Sequence, residues 1–408
     1  MASFNPGDVL IDNVTISSPR SMSWNLAPNL LTASITETIF TPGVTAELEV
    51  LDMQDYLGRL QLAGDESVDF SFTKPNGSTA TYQFHLNNVK DVTVQGAMKS
   101  KIYKLICVSR ETLTGQANHA QKGYNAQINN IISQLIQEFL NTSLPVITEE
   151  TKGKIKHVVT NQPVFHAVEN LRKQAVSAQN KSSNFMFYLT QKGIYFKTLE
   201  GMLQSGDIKN FKQDNTVGKS IFSDVDNNIL AWKVIQNMDA FNRIKNGALT
   251  QTVATFNVHT NEYVKQDLRK DLSAFTNLGA GTLISQAFKN MFSKANKHAL
   301  VYTQPNDKLN IGKTFFPETL PFKQLNLTQM QEQLMHMTVL GDPILEAGKT
   351  VFCTVPKITQ DVYDLGAEPQ MSGRWLISKL EHSIGRPDVR PRYTCNLECL
   401  KGAYQEGI

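Results

Sequence analysis

The segment ETIFTPGVTAELEVLD, residues 37–52, decides the fold, because apolar and polar residues alternate in it on both sides of a Pro-Gly pair. Its second half places four apolar residues on one side of an extended chain: Val44, Ala46, Leu48 and Val50. Thr45, Glu47 and Glu49 take the other side. Since successive side chains of a strand point to opposite faces, the segment predicts half-buried antiparallel strands with one polar face.

The same period of two extends over most of residues 9–108 and returns near the C-terminus. The early part contains a turn signal, Pro-Asn-Gly-Ser at residues 75–78, between two predicted strands. The late part ends with YTCNLECL, residues 393–400, which alternates in the same way as residues 44–50. The likeness of the two ends suggests an internal duplication, and most of the chain is predicted to be β.

Residues 116–205 follow another pattern. In YNAQINNIISQLIQEFLN, residues 124–141, apolar residues recur at steps of three and four, which predicts an amphipathic helix. A second helix is predicted over residues 163–178, with a proline in its first turn. NFMFYLTQ and IYFKTLEG, joined by Lys192-Gly193, predict a β-hairpin, so this region is predicted to be an α/β unit.

The region after the α/β unit is mixed. Strands are predicted at residues 229–235 and 248–259, and a helix is predicted over residues 328–335, before the C-terminal strands. Another predicted helix, near residues 283–292, carries an apolar face and several lysines. That helix either packs on its own domain with solvated lysines or docks on a partner.

Composition indicates a multi-domain protein and excludes several classes of partner. The chain has 408 residues, 41% of them hydrophobic, which is enough for packed cores and more than one domain. Its formal net charge of +3 is too small to indicate a nucleic-acid groove or a polybasic membrane surface. Charged residues make up only 19%, which favours a surface partly covered by other subunits.

Cysteines and the N-terminus carry no sign of secretion or of a metal centre. The four cysteines are too few for a disulfide scaffold, and no His or Cys residues stand at zinc-like spacing. Cys395 and Cys399 are predicted to share one buried face of a strand. The N-terminus lacks a signal-peptide pattern, and no apolar run is long enough to span a membrane.

No catalytic motif is found. Three Gly-Lys-Ser/Thr triplets, at residues 218–220, 312–314 and 348–350, lack the earlier glycine of a phosphate-binding loop. HExxH and GxSxG are absent from the sequence. Glu47 and Glu49, about 7 Å apart on one strand face, leave glycoside cleavage open as an alternative, although solvated glutamates are the ordinary case.

A few side chains are candidates for interfaces or for the lining of a channel: Phe40, Glu47, Glu49, Trp375, His382, Arg386, Arg390 and Arg392. The three arginines lie in GRPDVRPRY, which is either a grip for a carboxylate or phosphate or a solvated loop. Trp375 and His382 are predicted to lie on opposite faces of one strand, with the tryptophan in a core or an interface.

In its order of elements the chain resembles the baseplate hub proteins of contractile-tailed bacteriophages and the hub half of type VI secretion spike proteins. The segments that carry the resemblance are ITETIFTPGVTAELEVLD, QPVFHAVENLRKQA, NFMFYLTQKGIYFKTLEGML, VLGDPILEAGKTVFCTVP, GRWLISKLEHSIGRP and YTCNLECL. Together they cover nearly the whole chain.

The resemblance implies an α+β, mostly β fold with two tube-like antiparallel β-barrel domains. The first would span residues 1–115, and an α/β domain would span residues 116–205. The second tube-like domain would combine residues 206–238 with 322–408, around a mixed insertion at residues 239–321.

The function implied is that of a structural baseplate hub without enzymatic activity, cofactor or metal. Three copies would form a ring that adapts a sixfold tail tube to a threefold spike, around a central channel. The partners implied are the tail tube protein, a separate central spike protein and wedge or other baseplate proteins, with no membrane and with DNA only as cargo. The protein would be made in the host cytoplasm and reside in the virion.

Other functions stay open at this point. The same architecture fits the hub of a type VI or extracellular contractile injection system. A more remote alternative is an all-β protein that binds carbohydrate or cleaves glycosides, which would need a cleft with paired carboxylates. The chain ends in KGAYQEGI, which leaves no room for a spike or a lysozyme domain, so we expect the spike to be a separate chain.

Overall fold

The structure is a computed structural model. It describes residues 7–20, 22–60, 62–96, 100–180, 182–213, 225–236, 251–257, 262–268, 299–304, 327, 333–357, 366–368, 371–386 and 391–401. Most of residues 239–321, including the helix predicted near 283–292, therefore lie outside the described residues.

The N-terminal region is built from strands, as the alternating sequence predicts. These are β1 (Leu10–Ser18), β2 (Met22–Asn25), β3 (Leu30–Thr38), β4 (Thr45–Asp52), β5 (Ser67–Thr73), β6 (Thr79–Gln95) and β7 (Ser100–Ser109). A short helix, α1 (Tyr56–Leu60), follows β4, and a 3₁₀ turn lies at Ala27–Asn29.

The middle region mixes helices and strands. Its helices are α2 (Arg110–Ala117), α3 (Ile128–Phe139), α4 (Val164–Arg172) and α5 (Leu199–Leu203). Its strands are β8 (His119–Ala126), β9 (Val146–Thr148), β10 (Ile155–Pro163), β11 (Phe185–Thr190) and β12 (Gly193–Thr198). The predicted amphipathic helix is α3, and β11 and β12 form the predicted hairpin, so these two predictions are confirmed. The helix predicted over residues 163–178 is present as α4, but it ends at Arg172.

The C-terminal region is again made of strands. They are β13 (Asp207–Lys212), β14 (Ile229–Gln236), β15 (Gln251–Asn257), β16 (Glu262–Leu268), β17 (Ala299–Gln304), β18 (Gln333–Leu340), β19 (Thr350–Thr354), β20 (Gly373–Gly385) and β21 (Arg392–Lys401), with a 3₁₀ turn at Val225–Asn227. Residues 333–335 belong to β18, so the helix predicted over 328–335 is wrong there. The segment QLMHM alternates around two buried methionines, and that period of two governs its structure.

Burial follows the alternation. In β4, Ala46, Leu48 and Val50 are buried, while Glu47 and Glu49 are only partly covered. The apolar faces of the N-terminal and C-terminal strands contribute to one hydrophobic core, and the helices and hairpin of the middle region build a second. All four cysteines are buried with free thiols, Cys395 and Cys399 among them. Burial of apolar area stabilises both cores by roughly 25 cal/mol per Å².

Thirteen strands form one sheet whose main path runs β14-β18-β21-β20-β3-β4-β7-β6-β5-β1-β2. The fold is α+β and mostly β, as predicted. Among the described residues the path is open, with β14 at one end and β2 at the other, so the two separate closed barrels implied by the resemblance are not found. The N-terminal and C-terminal strands instead share a sheet, because β3 pairs with β20.

The sheet contains the same five-strand arrangement twice. We call β3 to β7, residues 30–109, the first module, and β14 with β18 to β21, residues 229–236 and 333–401, the second module. When the strands of each module are numbered in chain order, both follow the spatial order 1-2-5-4-3. In each module a strand that precedes it in the chain, β1 or β13, pairs with the third strand.

The repeat extends to irregularities of the ladders. A bulge at Leu31 in the first strand of the first module has its counterpart at Leu230 in the second module. A bulge at Asn87 in the fourth strand, β6, corresponds to one at Ser378 in β20. Because a bulge occupies a fixed place in a ladder, these matches align the two modules around them. Two further irregularities, between Lys90 and Thr93 in β6 and between Val234 and Gln236 in β14, have no counterpart in β20 and β3. The duplication suggested by the sequence is thus present in the fold.

Candidate functional site

The polar face of the shared sheet is the main candidate site. We call it the outer face, and it consists of the solvent-facing side chains of β3, β4, β7, β18, β20 and β21. It arises because each strand alternates, so one side fills the core while the other stays polar. Since β3 and β20 are paired, the outer face continues without a break from one module to the other.

In the first module this face places Glu47 and Glu49 as the sequence predicts, side by side on β4. Lys104 Nζ on β7 lies 2.8 Å from Glu47 Oε1. Thr32 Oγ1 on β3 donates a hydrogen bond of 3.1 Å to Glu49 Oε2. Both carboxylates are therefore held in cross-strand pairs, which is the ordinary role of charged residues on a sheet.

A hydrogen-bonded row continues across the boundary between the modules. Ser34 Oγ of the first module donates to Glu381 Oε1 of the second at 2.5 Å. Asn396 Nδ2 donates to Glu381 Oε2 at 3.5 Å, and Thr338 Oγ1 donates to Asn396 Oδ1 at 3.0 Å. The row ties β3, β20, β21 and β18 together through side chains as well as backbone.

Glu381, Asn396 and Thr338 also line a shallow depression of about 290 Å³ on the second module, with His336 and Glu398 at its side. His336 Nε2 lies 3.7 Å from Glu398 Oε2, which makes an ion pair when the histidine is protonated. In the part of the chain that the structure describes, no three His, Cys, Asp or Glu residues cluster as metal ligands. Met337, Leu397 and Lys379 complete the lining of the depression, which is therefore mixed in character.

Trp375 and His382 lie in the core and not on the outer face. Their side chains are 0% and 2% exposed. The prediction that they occupy opposite faces of one strand is wrong, because the bulge at Ser378 inserts one residue between them and reverses the alternation. Neither side chain can line a channel in this chain.

Both residues have internal partners that explain their burial. Trp375 Nε1 donates to the carbonyl of Met371 at 2.9 Å, and Lys401 Nζ lies 5.4 Å from the centre of the indole ring. His382 Nδ1 is 2.6 Å from the hydroxyl of Tyr393 and 3.4 Å from Cys395 Sγ. Burial lowers the pKa of His382 to about 4, so this histidine is neutral at physiological pH.

Of the three arginines in the loop between β20 and β21, the structure describes Arg386 and Arg392. Arg386 donates from Nη2 to the carbonyl of Ala27 at 2.8 Å and from Nη1 to that of Pro28 at 3.2 Å. It therefore fastens the end of β20 to the start of the first module. Arg392 is exposed at the start of β21, and Arg390 lies outside the described residues. Phe40, 43% exposed after β3, remains available for an interface.

A buried carboxylate at the meeting point of three regions was not among the predicted candidates. Glu37, on β3, is 2% exposed. The backbone N–H of Gln191 in the middle region donates to its Oε1 at 2.9 Å, and that of Ala347 before β19 donates to its Oε2 at 3.4 Å. Glu37 thus joins both modules to the α/β region. The sequence holds a signal for it, since Glu37 has the same parity as buried Ile35 and Ile39.

A second carboxylate, Glu346, is buried next to Glu37. It accepts from Thr190 Oγ1 at 2.6 Å, and Lys192 Nζ lies 4.0 Å from its Oε2. Burial, reinforced by the charge of Glu346, raises the pKa of Glu37 to about 7. The junction therefore holds a carboxyl group that titrates near neutral pH.

No protein-family model and no curated protein matches the sequence. Solved structures do match. The tail protein from Neisseria meningitidis MC58 is similar over 96% of this chain and 97% of its own, with a TM-score of 0.59 at 10% identity. The prophage MuSo2 43 kDa tail protein from Shewanella oneidensis matches over 96% and 98%, with a TM-score of 0.55 at 8% identity.

This chain has the fold of a phage tail protein. It is also similar to a chain of the PdpA–VgrG complex, over all of this chain and 68% of that one, with a TM-score of 0.51 at 12% identity. The resemblance to hub-like proteins drawn from the sequence is thus confirmed at the level of the fold. None of the described helices has the length and apolar character that a membrane crossing requires.

Proposed function

We propose that the protein is a structural hub of a contractile phage tail baseplate, in which three copies form a ring around a central channel. The ring would join a sixfold tail tube to a threefold spike formed by another protein. The chain would have no enzymatic activity, and it would reside in the virion after synthesis in the host cytoplasm. Tube, spike and other baseplate proteins would be its partners.

The observation that carries this proposal is the duplicated module. Two copies of one five-strand arrangement lie side by side in one sheet, joined by pairing between β20 and β3. Three chains then supply six similar modules, which can match six subunits of a tube on one side while the chains themselves keep threefold symmetry. The solved structures with this fold are named as tail proteins, which supports the same role.

The outer face suits the wall of the channel. Its carboxylates, which include Glu47, Glu49 and Glu381, are held by neighbouring polar groups and remain partly exposed. Carboxylates repel the phosphates of DNA, so DNA would pass along such a wall as cargo without binding to it. In this role the side chains of the outer face would contact water and passing cargo. They would not hold a bound ligand, so we assign no binding pocket to this face.

Light scattering during size exclusion tests the proposal, in the presence and absence of the co-expressed spike protein. We expect the mass of three chains, and negative-stain images of that fraction should show a ring with a central hole. A monomer under both conditions, or a compact trimer without an opening, would contradict the proposal.

The hub of a type VI or extracellular contractile injection system is the second candidate function. The observation that favours it is the likeness to a chain of the PdpA–VgrG complex. The genes beside this one separate the two, because a capsid gene next to sheath and tube genes indicates a phage. Sheath and tube genes without a capsid gene would indicate a secretion device.

A further inference from the structure

The fourth strands of the two modules, β6 and β20, have the same layout but different neighbours. The first part of each strand pairs with the third strand of its own module. On its other edge each strand pairs with the fifth strand, from Phe84 to Gln95 in β6 and from Leu376 to Gly385 in β20. The second part of β20, from Lys379 to Gly385, then receives β3 along the same edge as β19. The second part of β6, residues 88–95, has no strand on that edge among the described residues.

The first strands of the two modules, β3 and β14, also differ in their neighbours. In the first module, β3 lies between β4 and β20. In the second module, β14 pairs with β18 and ends the sheet, with no other strand beside it in the described part of the chain. The edge of β14 is thus the counterpart of the edge of β3 that binds β20.

We propose that the second part of β6 in one copy pairs antiparallel with β14 of the next copy, repeating between chains the junction that β20 and β3 form within a chain. The partner is a second copy of this protein, and the inference rests on the proposed ring. Eight strands per chain would then continue from copy to copy: β14, β18, β21, β20, β3, β4, β7 and β6.

The register of this pairing follows from the partner strands β7 and β21, because β6 has an irregularity between Lys90 and Thr93 that β20 lacks. Thr93 faces Ile102 in the β6–β7 ladder, as Ser383 faces Thr394 in the β20–β21 ladder. Lys233 faces His336 in β18, as Ser34 faces Glu47 in β4. Since Ser383 is opposite Ser34 within the chain, Thr93 is assigned opposite Lys233 of the neighbouring copy.

In this register the pair that follows Thr93 and Lys233 is Val94 and Trp232, and their pairing accounts for the exposure of both side chains in the single chain. Val94 corresponds to Ile384 and Trp232 to Ala33, which are opposite each other and buried in the intramolecular junction. In the single chain Val94 is 67% exposed, and Trp232 is only partly buried. Pairing of the two edges would place the valine against the indole and remove both from water.

Other exposed apolar side chains lie along the same two edges. Val92 on β6 is 48% exposed, and Leu230 and Ile235 on β14 are 49% and 46% exposed. An edge strand with apolar side chains is prone to pair with another chain, and soluble proteins normally protect such edges with charges, prolines or cover. These edges carry charges at Lys90, Asp91 and Lys233, but Val92, Val94, Leu230 and Ile235 leave exposed apolar side chains on them. The module alignment joins these two edges, so a second copy of the chain fits them.

Cysteine pairs test the register. The variant Thr93→Cys/Lys233→Cys should form disulfide-linked dimers and trimers under mild oxidation, visible on a non-reducing gel. Residues directly opposite each other on neighbouring strands bring their Cβ atoms within disulfide range. The native cysteines are buried, and burial raises the pKa of Cys107 and Cys353 to about 12, so they should stay unreactive.

Two matched controls make the outcome decisive. Ser34→Cys/Ser383→Cys has the corresponding geometry inside one chain and should give an intramolecular disulfide. In Thr93→Cys/Val234→Cys the second cysteine lies one residue along β14, on the opposite face, and should cross-link at least tenfold less. A protein that stays monomeric overturns the proposed ring itself. A trimer that does not cross-link through residues 93 and 233, while the intramolecular control does, overturns only this junction.

Discussion

The two modules have the same strand order and serve the chain differently. In the second, the edge of β20 is covered by β3, and Ile384 there is buried. In the first, the corresponding part of β6 is open, and Val94 at the corresponding position is exposed. The difference shows how one arrangement can stabilise the monomer at one edge and leave a matching edge for assembly.

The outer faces of the modules differ in chemistry although the backbones correspond. Glu47 and Lys104, an ion pair in the first module, align with His336 and Asn396 in the second. In a ring of three chains these two surfaces would alternate. Similar backbones would then present sixfold geometry, while the charges would keep threefold symmetry.

The largest effect should come from introducing a charge at corresponding positions. Ile384→Asp buries a carboxylate without a partner in the covered junction, so we expect the chain to fail to fold or to lose several kcal/mol of stability. Val94→Asp should leave the monomer folded, because this side chain is exposed there, but should prevent the trimer. Circular dichroism and light scattering check the two variants. Equal loss of folding in both would contradict the difference between the two edges.

A smaller effect concerns the junction that joins the modules to the α/β region. Burial raises the pKa of Glu37 from its ordinary value of 4.5 to about 7, so the folded state holds this proton more tightly than the unfolded state. Its contribution to stability is therefore present below pH 4.5 and is lost as the pH rises to about 7. The full span is about 3 kcal/mol. Glu37→Gln mimics the protonated acid and does not ionise, so this contribution to stability should not be lost in that variant as the pH rises.

The measurement is the free energy of unfolding of both proteins between pH 4.5 and 8. His382 acts in the opposite direction, because its lowered pKa removes stability as the pH falls below 6.5. Its contribution is common to both proteins and cancels in their difference. As the pH rises, the free energy of unfolding of the glutamine variant should increase relative to that of the native protein. A constant difference would mean that Glu37 is not buried in the junction.

The smallest effect is expected on the outer face. Glu47→Gln removes one exposed ion pair with Lys104, and such pairs contribute little to stability because water and salt screen them. The unfolding midpoint in urea should therefore change little, and trimer formation should persist. A large loss of stability would show that this face packs against protein in place of water.

Local periodicity predicted most of the strands and the helix α3, because burial of one face fixes those patterns. The β11–β12 hairpin is buried on both faces, and its apolar runs and its Lys-Gly turn predicted it. Local periodicity did not predict the placement of Trp375 and His382. A single extra residue at Ser378 reverses the faces, and no sequence signal marks that bulge. The sequence of residues 333–335 predicts a helix wrongly for another reason: a short apolar run fits both the helical period of 3.6 and the strand period of two.

Local sequence patterns also could not predict the pairing of β3 with β20. This pairing joins residues more than 340 positions apart, such as Ser34 and Glu381, and depends on register that local patterns do not encode. Glu37 was within reach, because it interrupts a row of buried positions with a carboxylate. A charged residue at a core position is a signal for a buried polar junction.

A reconstruction of the assembled protein by electron cryomicroscopy, at a resolution that separates strands, tests the central claim most directly. The duplicated modules should appear as six similar units in a ring of three chains, with β6 of each chain beside β14 of the next and the outer face towards the opening. A ring in which both edges face solvent, or an assembly with any other number of chains, would contradict the account.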